Sequence, residues 1–238
     1  MNETLIQTVA TFAIPVLFAI TLHEAAHGYA ARHFGDATAA IMGRLSLNPL
    51  RHIDPFGTIA MPLLLYFLTN GAFVFGYAKP VPVDSRNLHR PKQDMLWVAF
   101  AGPASNLAMA LFWALFALVL VALGIDEPFF QGMARAGVLV NLVMAALNLF
   151  PLPPLDGGRM LVAVLPYTQA RLVAKIEPFG FFVVLALAAT NLLNYWMLPL
   201  LGVMQTGLGW ILQPLAALIY GSAEPVRRSR SLLCKRLH

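Results

Sequence analysis

The sequence predicts an all-α membrane protein, a polytopic bundle of about five to six transmembrane helices with a small membrane-associated β element. Three observations support this fold class. Hydrophobic residues make up 59% of the 238 positions and charged residues only 11%, a balance far from that of soluble domains. Several stretches carry hardly a charge over the roughly 20 residues that a helix needs to span a bilayer. Two shorter stretches alternate with the period of a strand.

The first predicted helix is the apolar run over residues 5–22. The preceding Met-Asn-Glu-Thr lacks the basic start of a secretory signal, and the run continues past the usual length of a signal core. We therefore expect a retained helix rather than a cleaved signal. Four further runs are apolar enough to lie in a membrane and bring the expected crossings to five: residues 96–125, 138–150, 179–193 and 196–220.

Basic residues set the expected topology. If the first helix runs inward and residues 56–75 dip into the membrane and return, every Lys and Arg except Arg135 faces the cytoplasm. Short cytoplasmic loops collect Lys and Arg, so this layout is favoured over six full crossings. Glycines and a proline suit residues 56–75 to a broken, re-entrant segment. The expected location is the cell (inner) membrane, as a multi-pass protein.

Two stretches between the first and third apolar runs predict the β element. Residues 44–48 and residues 79–83 alternate with a period of two, and the prolines of the second stretch restrict it to a sheet edge. We find no internal repeat and no stretch long or polar enough for a separate soluble domain. The expected organisation is one membrane domain over residues 1–222 and a basic cytoplasmic tail over residues 223–238.

Composition also narrows the chemistry. The formal net charge is +5, but the basic residues lie between apolar runs rather than in one continuous patch, so we expect no nucleic-acid partner. The bilayer is the expected surrounding, and the charge serves orientation within it. Cys234 is the single cysteine of the sequence, so a metal site would use nitrogen and oxygen ligands.

The first apolar run ends in an H-E-x-x-H motif formed by His23, Glu24 and His27. Positions four apart share a face of a helix, so both imidazoles can bind one metal ion while Glu24 is placed to act on a water molecule. Ionisable groups inside a membrane span are costly and usually functional, which favours this interpretation over polar helix-end residues. The helical rise puts His27 about 7 Å before Arg32, inside the bilayer towards the cytoplasmic face.

A catalytic zinc site has three protein ligands and an open position, and Asp156 is the candidate for the third ligand. It follows three prolines that end a helix and precedes two glycines that let the backbone turn. A plain Asp-Gly-Gly turn is the other interpretation of these residues. Asp36 and Asp54 are weaker rivals because both lie in polar loops. Three histidines beside basic or loop residues are interpreted as surface side chains: His33, His52 and His89.

Three asparagines lie in apolar surroundings. Asn141 and Asn148 are seven residues apart and share a helix face, and Asn106 follows the break at Gly102 and Pro103. Hydrogen bonding between helices is the common role of such residues, and we prefer it for Asn141. Asn148 lies beside the proline break. It is as well suited to contact the substrate backbone or a developing oxyanion as to hydrogen bond between helices.

Together these motifs resemble the site-2 proteases, a family of intramembrane zinc metalloproteases, in their compact bacterial and archaeal form without PDZ or CBS domains. The resemblance covers roughly residues 8 to 165. It implies one Zn²⁺ per chain held by His23, His27 and Asp156, with Glu24 as the general base and Asn148 as a substrate or oxyanion contact. It also implies a transmembrane protein as substrate and a β element near the site.

The resulting hypothesis is that peptide bonds of membrane proteins are hydrolysed within or near the bilayer by zinc-activated water. A helical substrate must unwind first, and the stretch near Val81 and Val83 is a candidate for holding it by strand addition.

Two other functions share the metal motif. A metal-binding membrane scaffold or transporter would be expected to show matched repeats or paired broken helices. A prenyl-protein peptidase takes a glutamate as third ligand, whereas Glu127 is expected outside the membrane and Glu177 on the surface.

Overall fold

The structure, a computed structural model, describes residues 5–52, 54–68 and 79–220, and its regular elements are helices. The helices are α1 (Leu5–His33), α2 (Thr38–Ile41), α3 (Met61–Leu68), α4 (Pro91–Ala122), α5 (Pro128–Asn148), α6 (Asp156–Val164), α7 (Tyr167–Ala174), α8 (Glu177–Ala189) and α9 (Asn194–Tyr220). Pro91 and Pro128 lie in the first turns of their helices, where the missing N–H has no intrahelical partner to lose.

Four helices of the described chain are long and apolar enough to cross a membrane: α1, α4, α5 and α9. The number becomes five if α7 and α8, bent by 64° at their junction, form one span. The predicted helical membrane protein is therefore confirmed, with four to five candidate spans against the expected five to six. Large apolar side chains such as Phe18, Phe112 and Trp210 are exposed on the outer faces, as expected of surfaces that contact lipid.

The centre of the bundle is formed by α1, α4 and α5, each of which contacts the other two, while α6 packs on α4 and α9 on both α4 and α5. Small residues allow the close approach of these helices, and they include Ala19, Ala25, Ala110, Ala134 and Ala145, all nearly or fully buried.

The indole of Trp113 lies directly against the backbone of α5 at Gly137. A Cβ there would come within 2.2 Å of the ring. The contact therefore requires glycine at position 137.

The predicted β element is wrong for the part of the chain that the structure describes, because neither stretch forms a strand there. In residues 44–48 the amides turn inward: Arg44 and Leu45 both donate to Ala39 O, and Asn48 donates to the Ser46 hydroxyl. These local turns use the donors that a sheet partner would need.

The second stretch is extended but has no strand partner among the described residues. Pro80 and Pro82 have no N–H to donate. The Lys79 amide bonds to His52 O, and the Val81 amide bonds to the carboxylate of Glu24. The amides of alternate residues thus attach the stretch to the loop at His52 and to α1 at Glu24.

Asp36 connects the end of α1 to this extended stretch. Its side chain is fully buried and accepts hydrogen bonds from the Thr38 amide and hydroxyl, from Asn87 Nδ2 and from the Asp84 amide. Burial alone would raise the pKa of the Asp36 carboxyl, but these hydrogen bonds outweigh burial and hold the pKa below its usual value. Asp36 is therefore a structural carboxylate.

Asp54 begins a short π-helical turn, Pro55–Ala60, by accepting the amides of Phe56 and Gly57. Helix α3 follows to Leu68. The predicted re-entrant segment continues into residues 69–75, which lie outside the described residues. The predicted tail over residues 223–238 also lies outside them. Both stay predictions.

Candidate metal centre

The two histidines of the H-E-x-x-H motif point into the bundle from one face of α1. Both are buried, and their Nε2 atoms are 3.2 Å apart. Asp156, the first residue of α6, brings its Oδ2 atom to 3.1 Å from His23 Nε2 and 3.3 Å from His27 Nε2. The third predicted ligand therefore lies beside the first two, although more than a hundred residues separate it from them.

Each imidazole has its outer nitrogen in a hydrogen bond. His23 Nδ1 lies 2.6 Å from Asn106 Oδ1, and His27 Nδ1 lies 2.7 Å from the carbonyl oxygen of Val98. Both partners are oxygen acceptors, so both rings carry their proton on Nδ1 and turn the lone pair of Nε2 inward. The centre is thus lined by two nitrogen lone pairs and one carboxylate oxygen.

These three atoms fit a tetrahedral metal ion. With metal–ligand distances of 2.0–2.1 Å, tetrahedral zinc holds its ligands about 3.3 Å from one another, close to the separations of 3.1 to 3.3 Å found here. Asp156 Oδ2 is buried and lacks a hydrogen-bond donor in the described structure, a costly state for a carboxylate oxygen unless a cation binds it. His23, His27 and Asp156 form a buried metal-binding cluster.

Gly102 lets α4 approach both rings. A Cβ at this position would stand 2.4 Å from His27 Nε2 and 2.6 Å from His23 Cε1. Any side chain on α4 at this point would occupy the space of the imidazoles.

Two further glycines hold Asp156 in place. A Cβ on Gly157 would lie 2.3 Å from the carbonyl oxygen of Leu149, and one on Gly158 would lie 2.0 Å from the nitrogen of Pro153. The first turn of α6 therefore packs directly on the proline-rich connection that follows α5. Close backbone contact, more than conformational freedom, is the reason for glycine at both positions.

Glu24 is half-buried and lies about 100° around the helix from His23. Its Oε2 atom accepts a hydrogen bond of 2.8 Å from the Val81 amide. Val81 is itself buried and packs on Gly28, one turn further along α1. One carboxylate oxygen of Glu24 is thus fixed by the backbone of the extended stretch.

Comparison with known proteins agrees with this geometry. The model of "Peptidase family M50" matches residues 11–136 and 125–191 of the chain. The chain belongs to peptidase family M50. The predicted likeness to the site-2 proteases is confirmed, and the chain is a zinc metalloprotease of that family.

Relatives of this M50 protease include YwhC of Bacillus subtilis and Rip2 of two mycobacteria, all provisionally named zinc metalloproteases. YwhC is 40% identical over 194 residues, which cover 79% of this chain and 84% of YwhC. Rip2 of Mycolicibacterium smegmatis is 32% identical, over 77% of this chain and 68% of Rip2. Rip2 of Mycobacterium tuberculosis is 31% identical, over 79% of this chain and 72% of Rip2. No solved structure matches the chain significantly.

Membership of family M50 and the cluster geometry decide between the sequence-based alternatives. The transporter hypothesis gives way to the protease. A prenyl-protein peptidase would need a glutamate as third ligand, whereas here Asp156 lies beside the two imidazoles.

The remaining predictions about the site of this M50 protease have different outcomes. Asn148 donates its amide to Met144 O on its own helix, and its predicted contact with substrate stays a prediction. His33 and His89 are exposed, as expected. His52 was wrongly expected on the surface: it is buried, and its Nε2–H donates to Ser46 O at 2.7 Å.

Sequence reasoning missed the groups that hold the imidazoles. The Val98 carbonyl leaves no trace in the sequence, because every residue has one. Asn106 did leave a signal: it is four residues after Gly102 and therefore on the same face of α4, the face that meets the rings.

Proposed function

We propose that this M50 protease hydrolyses peptide bonds of membrane-protein substrates within or near the bilayer, with one zinc ion per chain. The observation that carries the proposal is the buried cluster of His23, His27 and Asp156, two of whose members lie inside a helix apolar enough to span a membrane. A soluble protease would have no need to build its metal centre between such helices.

The donor set defines the chemistry at this centre. Two neutral imidazoles and one carboxylate leave one position of a tetrahedron open. Zinc bound by such ligands polarises a carbonyl group and makes water nucleophilic at neutral pH. His23 and His27 donate their Nδ1 protons to Asn106 and to the Val98 carbonyl, which leaves each Nε2 lone pair to bind the metal ion.

We assign the general base to Glu24. Its Oε2 atom is held by the Val81 amide, so the carboxylate is oriented before substrate arrives. The other oxygen accepts the proton of the attacking water and later delivers it to the leaving amine. Asn148, at the end of α5 and eight residues before Asp156, is proposed to contact the substrate backbone or the oxyanion.

The expected partners are a transmembrane protein as substrate and the surrounding lipid, with no role for nucleic acid. The histidines lie in the second half of α1, near the end at which α4 begins. We propose that this end faces the cytoplasm of a bacterial inner membrane, because cytoplasmic loops collect basic residues and both Arg32 and Arg90 lie there.

The test compares wild type with Glu24→Gln and Asp156→Ala. The purified proteins are reconstituted in liposomes with a set of single-span membrane proteins, and products are identified by mass spectrometry. We expect wild type to cleave and Glu24→Gln to lose cleavage by at least about 100-fold, since a positioned base contributes 10²–10⁴-fold. Glu24→Gln should retain zinc, whereas Asp156→Ala should lose both zinc and cleavage. Undiminished cleavage by Glu24→Gln would refute the mechanism.

A further inference from the structure

A continuous path of buried hydrogen bonds leads from the metal centre across three helices. It starts at His23 on α1, passes through Asn106 on α4 and reaches Asn141 on α5. Both asparagines are fully buried, with no accessible surface. Buried amides in an apolar bundle are costly unless every polar atom is paired, so the path must be satisfied as a unit.

The path has one consistent direction. Asn141 donates its Nδ2 to Gly137 O at 2.8 Å, which leaves its Oδ1 to accept from Asn106 Nδ2 at 2.9 Å. The same Nδ2 of Asn106 also donates to Ala19 O at 3.3 Å. Both hydrogens of the Asn106 amide are therefore assigned, and its Oδ1 is the atom that faces His23 Nδ1 at 2.6 Å.

Reversal of the Asn106 amide would break all three hydrogen bonds that its side chain makes. Its oxygen would then face two acceptors, Ala19 O and Asn141 Oδ1, and its NH₂ group would face the proton on His23 Nδ1. Buried acceptors left without a donor are costly. Asn141 and the carbonyl of Ala19 together therefore determine how the amide of Asn106 points.

We propose that Asn106 and, through it, Asn141 are positioning residues that fix the ring orientation and the tautomer of His23 for metal binding. An acceptor at Nδ1 keeps the proton there and presents the Nε2 lone pair to the metal. This inference rests on zinc binding at the proposed centre. By this inference, Asn106 and Asn141 affect metal affinity as well as the packing of helices.

The second histidine provides an internal contrast. His27 Nδ1 bonds to the backbone carbonyl of Val98, a group that side-chain substitution leaves in place. Variants at positions 106 and 141 should therefore disturb one ligand and leave the other bound. Zinc affinity should fall by a finite factor, in contrast to the loss expected on removal of a ligand.

The experiment measures zinc affinity of the full chain in detergent, by competition with a chelator of known affinity, together with thermal unfolding of the metal-free protein. Asn106→Leu removes the acceptor at His23 and should weaken zinc binding by about 10- to 100-fold. Asn106→Asp restores an acceptor for His23 but places its second oxygen against Ala19 O and Asn141 Oδ1. It should bind zinc within a few-fold of wild type while unfolding at a lower temperature.

Two further variants complete the set. Asn141→Leu removes one of the two acceptors of the Asn106 Nδ2 group and leaves the other, Ala19 O, so it should weaken zinc binding less than Asn106→Leu does. Asn194→Leu replaces an exposed asparagine on α9 and should leave zinc affinity unchanged. The visible absorption spectrum of Co²⁺-loaded protein should change in Asn106→Leu and return towards wild type in Asn106→Asp, because it reports ligand geometry.

A purely structural role would make zinc affinity follow thermal stability across all variants, so that Asn106→Asp would lose affinity as Asn106→Leu does. That result, or wild-type affinity in Asn106→Leu, would overturn the inference. If Asn106→Leu does not fold, the Asn106→Asp and Asn141→Leu pair decides the question by the same comparison. Absence of zinc binding by the wild-type protein would instead refute the proposed function.

Discussion

Replacement of Gly102 by alanine tests the geometry of the metal centre with a single methyl group. The new Cβ would lie 2.4 Å from His27 Nε2, 2.5 Å from His27 Cε1 and 2.6 Å from His23 Cε1. Non-bonded heavy atoms prefer about 3.5 Å, so the imidazoles and α4 must separate by about 1 Å. Both affected residues are predicted metal ligands.

A displacement of this size should disable the site while leaving the fold largely intact. Misplacement of a reacting group by 1 Å can cost about 100-fold in rate. We therefore expect Gly102→Ala to lower both zinc affinity and peptide cleavage by at least about 100-fold. The assays are chelator competition for zinc and mass-spectrometric detection of products.

Matched controls are available in α9. Gly202 and Gly207 also lie within a helix, and a Cβ on either would meet no atom within 4 Å. Alanine there should leave zinc affinity and cleavage unchanged and stabilise the helix by up to about 1 kcal/mol. Gly102→Ala with wild-type zinc affinity would show that the imidazoles do not lie against α4, and the reasoning about the centre would fail.

Three further predictions concern the ligand set and the packing around it. Asp156→Ala should reduce the zinc content of the purified protein from one ion per chain to nearly none by elemental analysis, and retained zinc would point to a different third ligand. Gly137→Ala places a Cβ 2.2 Å from Trp113 and should destabilise the protein by about 1–3 kcal/mol, seen as a lower melting temperature in detergent; an unchanged melting temperature would contradict the packing. Asp36→Asn should also destabilise the protein: the native pKa of Asp36 is lowered, so its contribution is present above the ordinary carboxyl pKa and lost as the pH falls through the native value. The difference from wild type should therefore shrink in acid, as thermal unfolding measured across pH would show.

The helices and the candidate metal-binding cluster were predictable because each depends on a local pattern. Charge-free runs of sufficient length define spans, and the spacing of His23 and His27 defines a shared helix face. Asp156 was predictable because it lies between prolines and glycines in a chain whose H-E-x-x-H motif still needs a third ligand. The span signal needs roughly 20 consecutive residues, and the histidine spacing needs far fewer.

What could not be predicted depends on pairing between distant segments. Alternation in residues 79–83 is typical of a strand, but the donors go to His52 O and to Glu24 instead, and only the folded chain shows this. Burial of His52 is different, because its bond to Ser46 O is local; it was missed because loop and basic residues flank it in the sequence. Asn106 was recognised as a polar residue between helices, yet its contact with His23 joins positions 83 residues apart.

The extended stretch beside Glu24 has a consequence for which peptides could pair with it. Of its six residues from Lys79 to Asp84, two are prolines, and the amides of Lys79, Val81 and Asp84 are all donated inward. The stretch can therefore offer an incoming peptide at most one N–H, while its carbonyls stay the main means of recognition. A peptide paired there would have to donate its own backbone N–H groups to these carbonyls. N-methylation of the peptide backbone should therefore weaken binding more than removal of the peptide's carbonyl acceptors.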